Sequence, residues 1–431
     1  MVLFSEMNPS IELIMSYQPR TIDSELARKL SASGAVLIRG PKACGKTESA
    51  KRVAGSVLSV DQDTNVPLLM ETAPHRLLVG KTPRLIDEWQ EQPKLWDFVR
   101  HEVDERSKKG QFILTGSANP ADAVRLHSGA GRFTTLDMRT MSWQELGHSS
   151  GVASLACLLC GDAPTVSDES VPLEAIAQRL VIGGFPGLLG ASETQAHDMN
   201  RAYLDLIAET DISRISGMKR DPRKVHALLR SLARNTATLA EVTTLAADIG
   251  EREKTDISRP TATDYLAALD RLMIVENQPA WDTHLRSSAS LRKAPKRHFT
   301  DPCLAAAALG ADSTALLDDL LSMGFLFESL ATHDLRTYAQ ANDARVFHYR
   351  DSSELEIDAI VQKRNGDWCA FEIKLGTGQI EAAAENLKKL VTVLDPAKTN
   401  RPKSLNIITG TGISYRRADG INVLSIAALG A

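Results

Sequence analysis

The stretch Gly40-Pro41-Lys42-Ala43-Cys44-Gly45-Lys46-Thr47 constrains this chain more than any other. It is a complete G-x-x-x-x-G-K-[ST] pattern, and such a pattern works only between a strand and a helix. Residues 34–39 are a short apolar run of strand type, and residues 48–54, from Glu48 onward, have helix-forming composition. Gly40 and Gly45 let the backbone wrap a phosphate chain with its amides pointing inward. Lys46 is expected to reach the β- and γ-phosphates of ATP and Thr47 to coordinate Mg²⁺, with the helix N-terminus adding partial positive charge. The expected cradle runs from Gly40 through Pro41, Lys42, Ala43, Cys44, Gly45, Lys46 and Thr47 to Glu48.

A chain of 431 residues is too long for one ordinary core, and about three domains are expected. With 43% hydrophobic and 24% charged residues and no apolar run near ~20 residues, a soluble, cytoplasmic protein without a membrane span is expected. No charged region followed by an apolar core opens the sequence, so no secretion signal is expected. Five cysteines fit a reducing compartment, and the Cys157–Cys160 pair, in an apolar stretch, reads as buried thiols rather than a metal or redox site. The net charge of −4 does not favour nucleic acid overall, so charge is read locally.

About forty residues after Lys46, the segment Leu85-Ile86-Asp87-Glu88 reads as a strand ending in adjacent carboxylates. Asp87 is expected in the Mg²⁺ shell, through water or Thr47, and Glu88 as the base that polarises the attacking water. The next strand ends in Thr115-Gly116-Ser117-Ala118-Asn119, where Thr115, or else Ser117, is placed to sense the γ-phosphate. Arg132 and Arg214 are the two candidates for a guanidinium on phosphate, in cis or across a subunit contact. The Gly183-Gly184-Phe185-Pro186-Gly187 segment reads as a structural turn.

Taken with the glycine-rich segment 128–132, the Met141-Ser142-Trp143-Gln144-Glu145 segment and the turn at 183–186, these motifs resemble the bacterial and archaeal AAA-type ATP-binding family with a C-terminal domain of unknown function. The resemblance runs through nearly the whole chain. It implies a parallel sheet with the phosphate loop on its first strand, and an additional strand beside the catalytic glutamate.

From about 220 to 300 the pattern is helical, then strand-like. Val225, Leu228, Leu229 and Leu232 form one apolar face, and Ser258 with Pro260 marks a helix start. Three helices and a hairpin are the layout of a winged helix. The run Arg286, Arg292, Lys293, Lys296, Arg297 and His298 contains no acid and is expected to rest on DNA phosphates. Contact with a protein partner is the other reading of such a module.

In the C-terminal third, Asp358 and Glu372 fall on the two arms of an expected hairpin, and Lys374 shares a strand face with Glu372. Two carboxylates and a lysine on one face suit Mg²⁺ and phosphodiester attack. With Glu328 as a helix-borne acid, the set resembles the PD-(D/E)xK nuclease fold. A helix over 380–394 and a strand over 405–408 are expected to follow.

The expected fold class is thus α/β: a P-loop NTPase (AAA-type) parallel sheet over 1–195, a winged-helix-like α domain over 196–300, and an α/β restriction-endonuclease-like domain over 301–431. The expected function is an ATPase, with Lys46, Glu88, Thr115 and Arg132 at its site, whose nucleotide state controls a DNA-binding half. That half either cuts with Mg²⁺, through Glu328, Asp358, Glu372 and Lys374, or only binds. The alternative is a nucleotide-gated regulator with an inert nuclease fold, acting on a protein partner or a second copy of the chain.

Overall fold

The computed structural model describes residues 17–116, 129–162, 166–216, 219–253, 255–283 and 294–431. Ser117, Arg286, Arg292 and Lys293 lie outside the described residues.

The apolar run ahead of the phosphate loop becomes a central strand. Four of the five residues of β1 (Ala35–Arg39) are buried, as a strand covered on both faces requires. Before it comes α1 (Asp23–Ala32), and after it α2 (Lys46–Lys51), β2 (Ser56–Ser59), α3 (Val66–Thr72), β3 (Arg84–Asp87), α4 (Leu95–Arg106), β4 (Phe112–Gly116) and β5 (Phe133–Asp137). The strands lie in the order β2-β3-β4-β1-β5, and every neighbouring pair is parallel. The additional strand β4 therefore separates the phosphate-loop strand from the one ending in Asp87. Ile22, Leu26 and Leu30 cover one face against Val36, Ile38 and Ile113. Trp96, Val99 and Val103 cover the other against Leu37, Phe112 and Leu114.

The middle is helical. After β6 (Ala153–Ser154) come α5 (Leu155–Leu158), α6 (Leu173–Ile182), α7 (Glu193–Leu206), a π-helical turn (Ile207–Asp211) and α8 (Ile212–Ser216). Next are α9 (Pro222–Arg234), α10 (Val242–Arg252), α11 (Arg259–Arg271) and an antiparallel hairpin of β7 (Val275–Gln278) and β8 (Lys296–Phe299). Val225, Leu228, Leu229 and Leu232 of α9 are buried together. Ser258 caps α11 by accepting the Thr261 amide, with Pro260 in the first turn. Contrary to expectation, Cys157 and Cys160 are exposed. Leu155 and Leu158, three apart, take the buried side of α5, so the thiols turn outward.

The last third comprises α12 (Pro302–Leu309), α13 (Ser313–Asp318), the long α14 (Leu320–Ala341), β9 (Ala344–Arg350), β10 (Glu356–Lys363), β11 (Trp368–Lys374), α15 (Ile380–Val393), β12 (Ser404–Thr409), β13 (Tyr415–Arg416), β14 (Asn422–Ser425) and β15 (Leu429–Gly430). Its sheet runs β13-β14-β12-β11-β10-β9, with α14 against one face and α15 against the other. The helix and strand expected after β11 are present as α15 and β12. Helix α12 packs on α6, α7 and α9, so the helical middle continues past residue 300. One apolar cluster extends from Trp143 to Leu429, and β15 pairs in parallel with β6.

Candidate nucleotide site and a second cluster of acids

The phosphate loop leaves β1 at the carboxyl edge of the parallel sheet, where open α/β sheets bind ligands. Gly45 carries φ 102°, a conformation that L side chains rarely adopt. A Cβ on Gly40 would come within 2.2 Å of the Met138 carbonyl oxygen. Lys46 is buried at 6% exposure, and its ammonium donates to the carbonyls of Gly40 (3.0 Å) and Pro41 (2.7 Å) within its own loop. The strand tips complete the site. Asp87 Oδ1 accepts from the Thr47 hydroxyl at 2.9 Å and from the Thr115 hydroxyl at 2.5 Å. Asp87 and Thr115 are register partners across β3 and β4, which is why the additional strand matters: it puts Thr115 beside Asp87. Glu88 follows with φ 52°, a left-handed conformation that is costly for a residue with a side chain and often marks a functional turn. Its carboxylate accepts from the Gln90 amide.

Arg20 and Asp211, which the sequence did not single out, hold this loop. The Arg20 guanidinium, 7% exposed, donates to the Cys44 carbonyl at 2.9 Å and the Arg139 carbonyl at 2.8 Å, and pairs with Glu145 at 3.2 Å. From the helical middle, Asp211 pairs with Lys42 of the loop at 2.6 Å, and Arg214 with Glu91 at 2.6 Å. Arg214 thus reaches the turn after β3, at Glu91, three residues beyond Glu88. Arg132 does not. It lies before β5, its carbonyl accepting the Ala35 amide at the amino end of the sheet, and its guanidinium pairs with Asp104 at 2.8 Å. Five strand residues, ~16 Å at the usual rise, separate it from the loop within one chain, which removes the cis role expected for Arg132.

The second cluster lies in the last third, and the sequence anticipated most of its members. Lys374 bridges Glu372 at 2.6 Å and Asp358 at 3.0 Å. Asp358 sits at an irregularity between β9 and β10, where the register shifts between Ile357 and Ile360, and such bulges re-aim side chains. The Ile373 amide also donates to Asp358, at 2.7 Å. Glu328 reaches the cluster from α14, but its partner is unexpected. Lys296 of β8 lies 2.8 Å from Glu328, 2.6 Å from Glu356 and 3.6 Å from Asp358, at 1% exposure. Neither Glu356 nor Lys296 was anticipated here.

The electrostatics follow from burial and pairing. Burial, then the charge on Asp358, pushes the Glu372 carboxyl up to about 8. Burial pushes Glu328 up to about 7, with Lys296 opposing it. Burial also works against the Lys296 ammonium, yet Glu328, Asp358 and Glu356 outweigh it and hold that amine above the ordinary lysine range. Asp358 is disfavoured by burial but is held below the usual carboxylate range by Lys374 and Lys296.

Residues 32–147 match the family model of an AAA domain. The part of the chain similar to an AAA domain holds the phosphate loop, Asp87 and Thr115. Residues 173–315 and 323–429 match two domains of unknown function, DUF8612 and DUF4143. Uncharacterized proteins of Mycobacterium bovis and Mycobacterium tuberculosis are each 24% identical over 367 residues, covering 84% of this chain and 74% of theirs. Among solved structures, the Walker-type ATPase PABY2304 of Pyrococcus abyssi is similar at 12% identity and a TM-score of 0.41, over 68% of this chain and 99% of that one. The ORC2 protein of Aeropyrum pernix is similar at 14% identity and a TM-score of 0.30, over 74% and 96%.

Beyond the AAA domain, the described end of the basic run, Lys296 to His298, does not form the surface expected of it. Lys296 is enclosed by acids, the Arg297 guanidinium donates to the Ala240 carbonyl, and His298 is buried between Gln278 (2.9 Å) and Ser329 (3.2 Å). Strand alternation explains this: Lys296 and His298, two apart on β8, turn inward together. The two acid sites differ toward Mg²⁺. In the AAA domain, the Thr47 hydroxyl and Asp87 carboxylate are hard oxygen donors 2.9 Å apart that suit Mg²⁺. In the last third, two ammonium groups already stand among the four carboxyls, and among the described residues no three metal-binding side chains are arranged to share an ion. The Mg²⁺ role expected of Asp358 and Glu372 does not fit that arrangement. No described helix is long and apolar enough to cross a membrane.

Proposed function

We propose that this chain hydrolyses ATP with Mg²⁺ and uses the nucleotide state to control its C-terminal module. The observation carrying the reading is the Thr47–Asp87–Thr115 hydrogen-bonded cluster beside the glycine loop. Backbone amides from Gly40 to Thr47 cradle the phosphates, and Lys46 exchanges its two carbonyl partners for phosphate oxygens. Thr47 and Asp87 would hold Mg²⁺, whose charge would offset that of the phosphates. Glu88, aimed by its left-handed backbone and the Gln90 amide, accepts the proton of the attacking water. Thr115 fixes the Asp87 carboxylate and would sense the γ-phosphate from the tip of β4. Arg214, rather than Arg132, is the arginine placed to answer nucleotide state.

The route to the C-terminal module starts at Arg20, which touches both the phosphate loop and the Arg139 carbonyl. Arg139 pairs with Glu276 of β7 at 3.0 Å, and Glu276 with Arg336 of α14 at 2.8 Å. Gln340 of α14 donates to Glu25 and to the Asp137 carbonyl. A change at the loop therefore bears on both the β7–β8 hairpin and the helix carrying Glu328. Steady-state ATP hydrolysis by the full chain tests the first claim, and no Mg²⁺-dependent turnover by pure protein would sink it.

A second reading, in which the C-terminal module binds DNA and cuts it, rests on the convergence of Glu328, Asp358, Glu372 and Lys374, and needs Lys296 to leave the cluster before Mg²⁺ can enter. Nicking of single- and double-stranded DNA with Mg²⁺ or Mn²⁺, with and without ATP, is its test. Absence of nicking would leave the nucleotide-gated regulator.

A further inference from the structure

The β7–β8 hairpin does more than cross the acid cluster; it is built into it. Gln278 of β7, register partner of Lys296, donates to the backbone carbonyl of Asp358 at 2.9 Å and to that of Phe347 at 3.0 Å. These are carbonyls at the irregularity between β9 and β10, where ladder pairing is interrupted. His298, two residues along β8, contacts the Gln278 side-chain oxygen at 2.9 Å and Ser329 of α14 at 3.2 Å. With both neighbours fixed, the Lys296 side chain has one direction open, into the space between Glu328, Glu356 and Asp358.

We propose that Lys296 is a resident cation of the C-terminal module: its ammonium takes the place among Glu328, Glu356 and Asp358 that a divalent ion would need, and keeps the site free of metal while the hairpin is docked. Three carboxylate oxygens stand 2.6–3.6 Å from this one nitrogen. As they stand around the ammonium, these side chains are not arranged to share an ion; with the ammonium gone they are free to close in, and oxygen donors of this kind suit Mg²⁺ or Mn²⁺. As part of the same chain, the ammonium competes at an effective concentration of about millimolar or more, with no association step to repeat. Lys374 neutralises the opposite side of Asp358, so both carboxylate oxygens of that residue are engaged. The inference does not depend on ATP hydrolysis.

The test is Mn²⁺ binding to the nucleotide-free full chain by electron paramagnetic resonance, with Asp87→Asn throughout to silence the phosphate-loop position. With Lys296 intact, no tightly bound Mn²⁺ is expected. Lys296→Met in the same background should gain one Mn²⁺ bound at least about tenfold tighter, and adding Asp358→Asn should remove it. A cooperatively folded Lys296→Met chain that gains no Mn²⁺ overturns the proposal. So does an intact-lysine chain that binds Mn²⁺ equally tightly in an Asp358-dependent way. Should the Met variant fail to fold, ¹³C-lysine NMR of the wild-type chain decides, with Lys296→Arg supplying the assignment. The Lys296 ε-methylene signal stays sharp at stoichiometric Mn²⁺ if the ammonium fills the site, and broadens if metal enters beside it.

Discussion

Two buried lysines, one in each half of the molecule, are treated in opposite ways. Lys46 spends its charge on two neutral carbonyls of its own loop, whereas Lys296 is surrounded by three carboxylates. Carbonyl partners are readily exchanged, because each leaves behind only a neutral dipole, which water can satisfy. Carboxylate partners are not, because parting them strands charge in a place with little water. A site kept open for a ligand holds its cation loosely; a site that is closed holds it with opposite charge. The AAA domain follows the first pattern and the acid cluster the second.

The largest expected effect lies at Lys46. Lys46→Ala should lower ATP turnover on the order of a hundredfold or more and weaken nucleotide binding, since a charge facing the transferred phosphate is lost. Glu88→Gln should retain nucleotide and stop turnover. Normal hydrolysis by the Gln variant, measured as phosphate release, would reassign the base. Lys296→Arg should leave turnover near wild type, and a collapse there would break the distinction between the two sites.

Stability should rank the two lysines the other way. Lys296→Met leaves Glu328, Glu356 and Asp358 facing one another and should cost about 3–5 kcal/mol in the C-terminal transition. Lys46→Met removes hydrogen bonds to neutral carbonyls and should cost about 1–3 kcal/mol. Urea unfolding of the two variants side by side checks the order, and equal losses would remove the contrast.

A smaller effect is expected with pH. Glu372 keeps its proton in the folded chain up to about 8, against an ordinary value of 4.5, so across that window the folded state holds more protons than the unfolded one. Stability from this group therefore falls as pH rises from 4.5 toward about 8. Glu328, raised to about 7, acts in the same sense. His298, buried and held well below 6.5, acts in the opposite sense. The informative quantity is thus the melting temperature of wild type minus that of Glu372→Gln. It should decline steadily over that window, and a flat difference would mean that Glu372 is ionised throughout.

The smallest effect concerns DNA. Since Lys296 and Arg297 are committed within the fold, only the other members of the basic run remain for phosphate contact. Replacing Arg292 and Lys293 together should lower the slope of log K against log salt by about two units. Replacing Arg297 alone should leave that slope unchanged.

Much of this was legible in the sequence, and for a physical reason. The glycine-lysine-threonine loop, the Asp87–Glu88 pair and Thr115 are set by local geometry, since a strand tip fixes where its next residues lie. The convergence of Asp358, Glu372 and Lys374 was also legible, because strand alternation assigns faces without knowledge of the partner strand. What escaped depends on contacts across long sequence separations. Arg20 meets Arg139 over 119 positions, and nothing near Arg20 announces it. In sequence Lys296 joins its neighbours in one basic run, although the alternation of Lys296, Arg297 and His298 along β8 holds the signal that they face two ways. For Cys157 and Cys160, an apolar neighbourhood in sequence is not an apolar face in the fold, since Leu155 and Leu158 occupy that face.

The π-helical turn at Ile207–Asp211 sets the phase of a helix that serves two masters. Upstream, α7 buries Ala196, Asn200 and Leu204 in the helical middle. At its last residue and just beyond, Asp211 grips Lys42 and Arg214 grips Glu91, both on the AAA domain. A π turn holds one residue more than an α turn. Wound into plain α-helix, that extra residue would turn everything after it by about 100° relative to the middle. Both grips would then swing off the nucleotide-binding edge together, while each segment kept its own core. The π turn absorbs the extra residue and so keeps the helical middle in step with the phosphate loop.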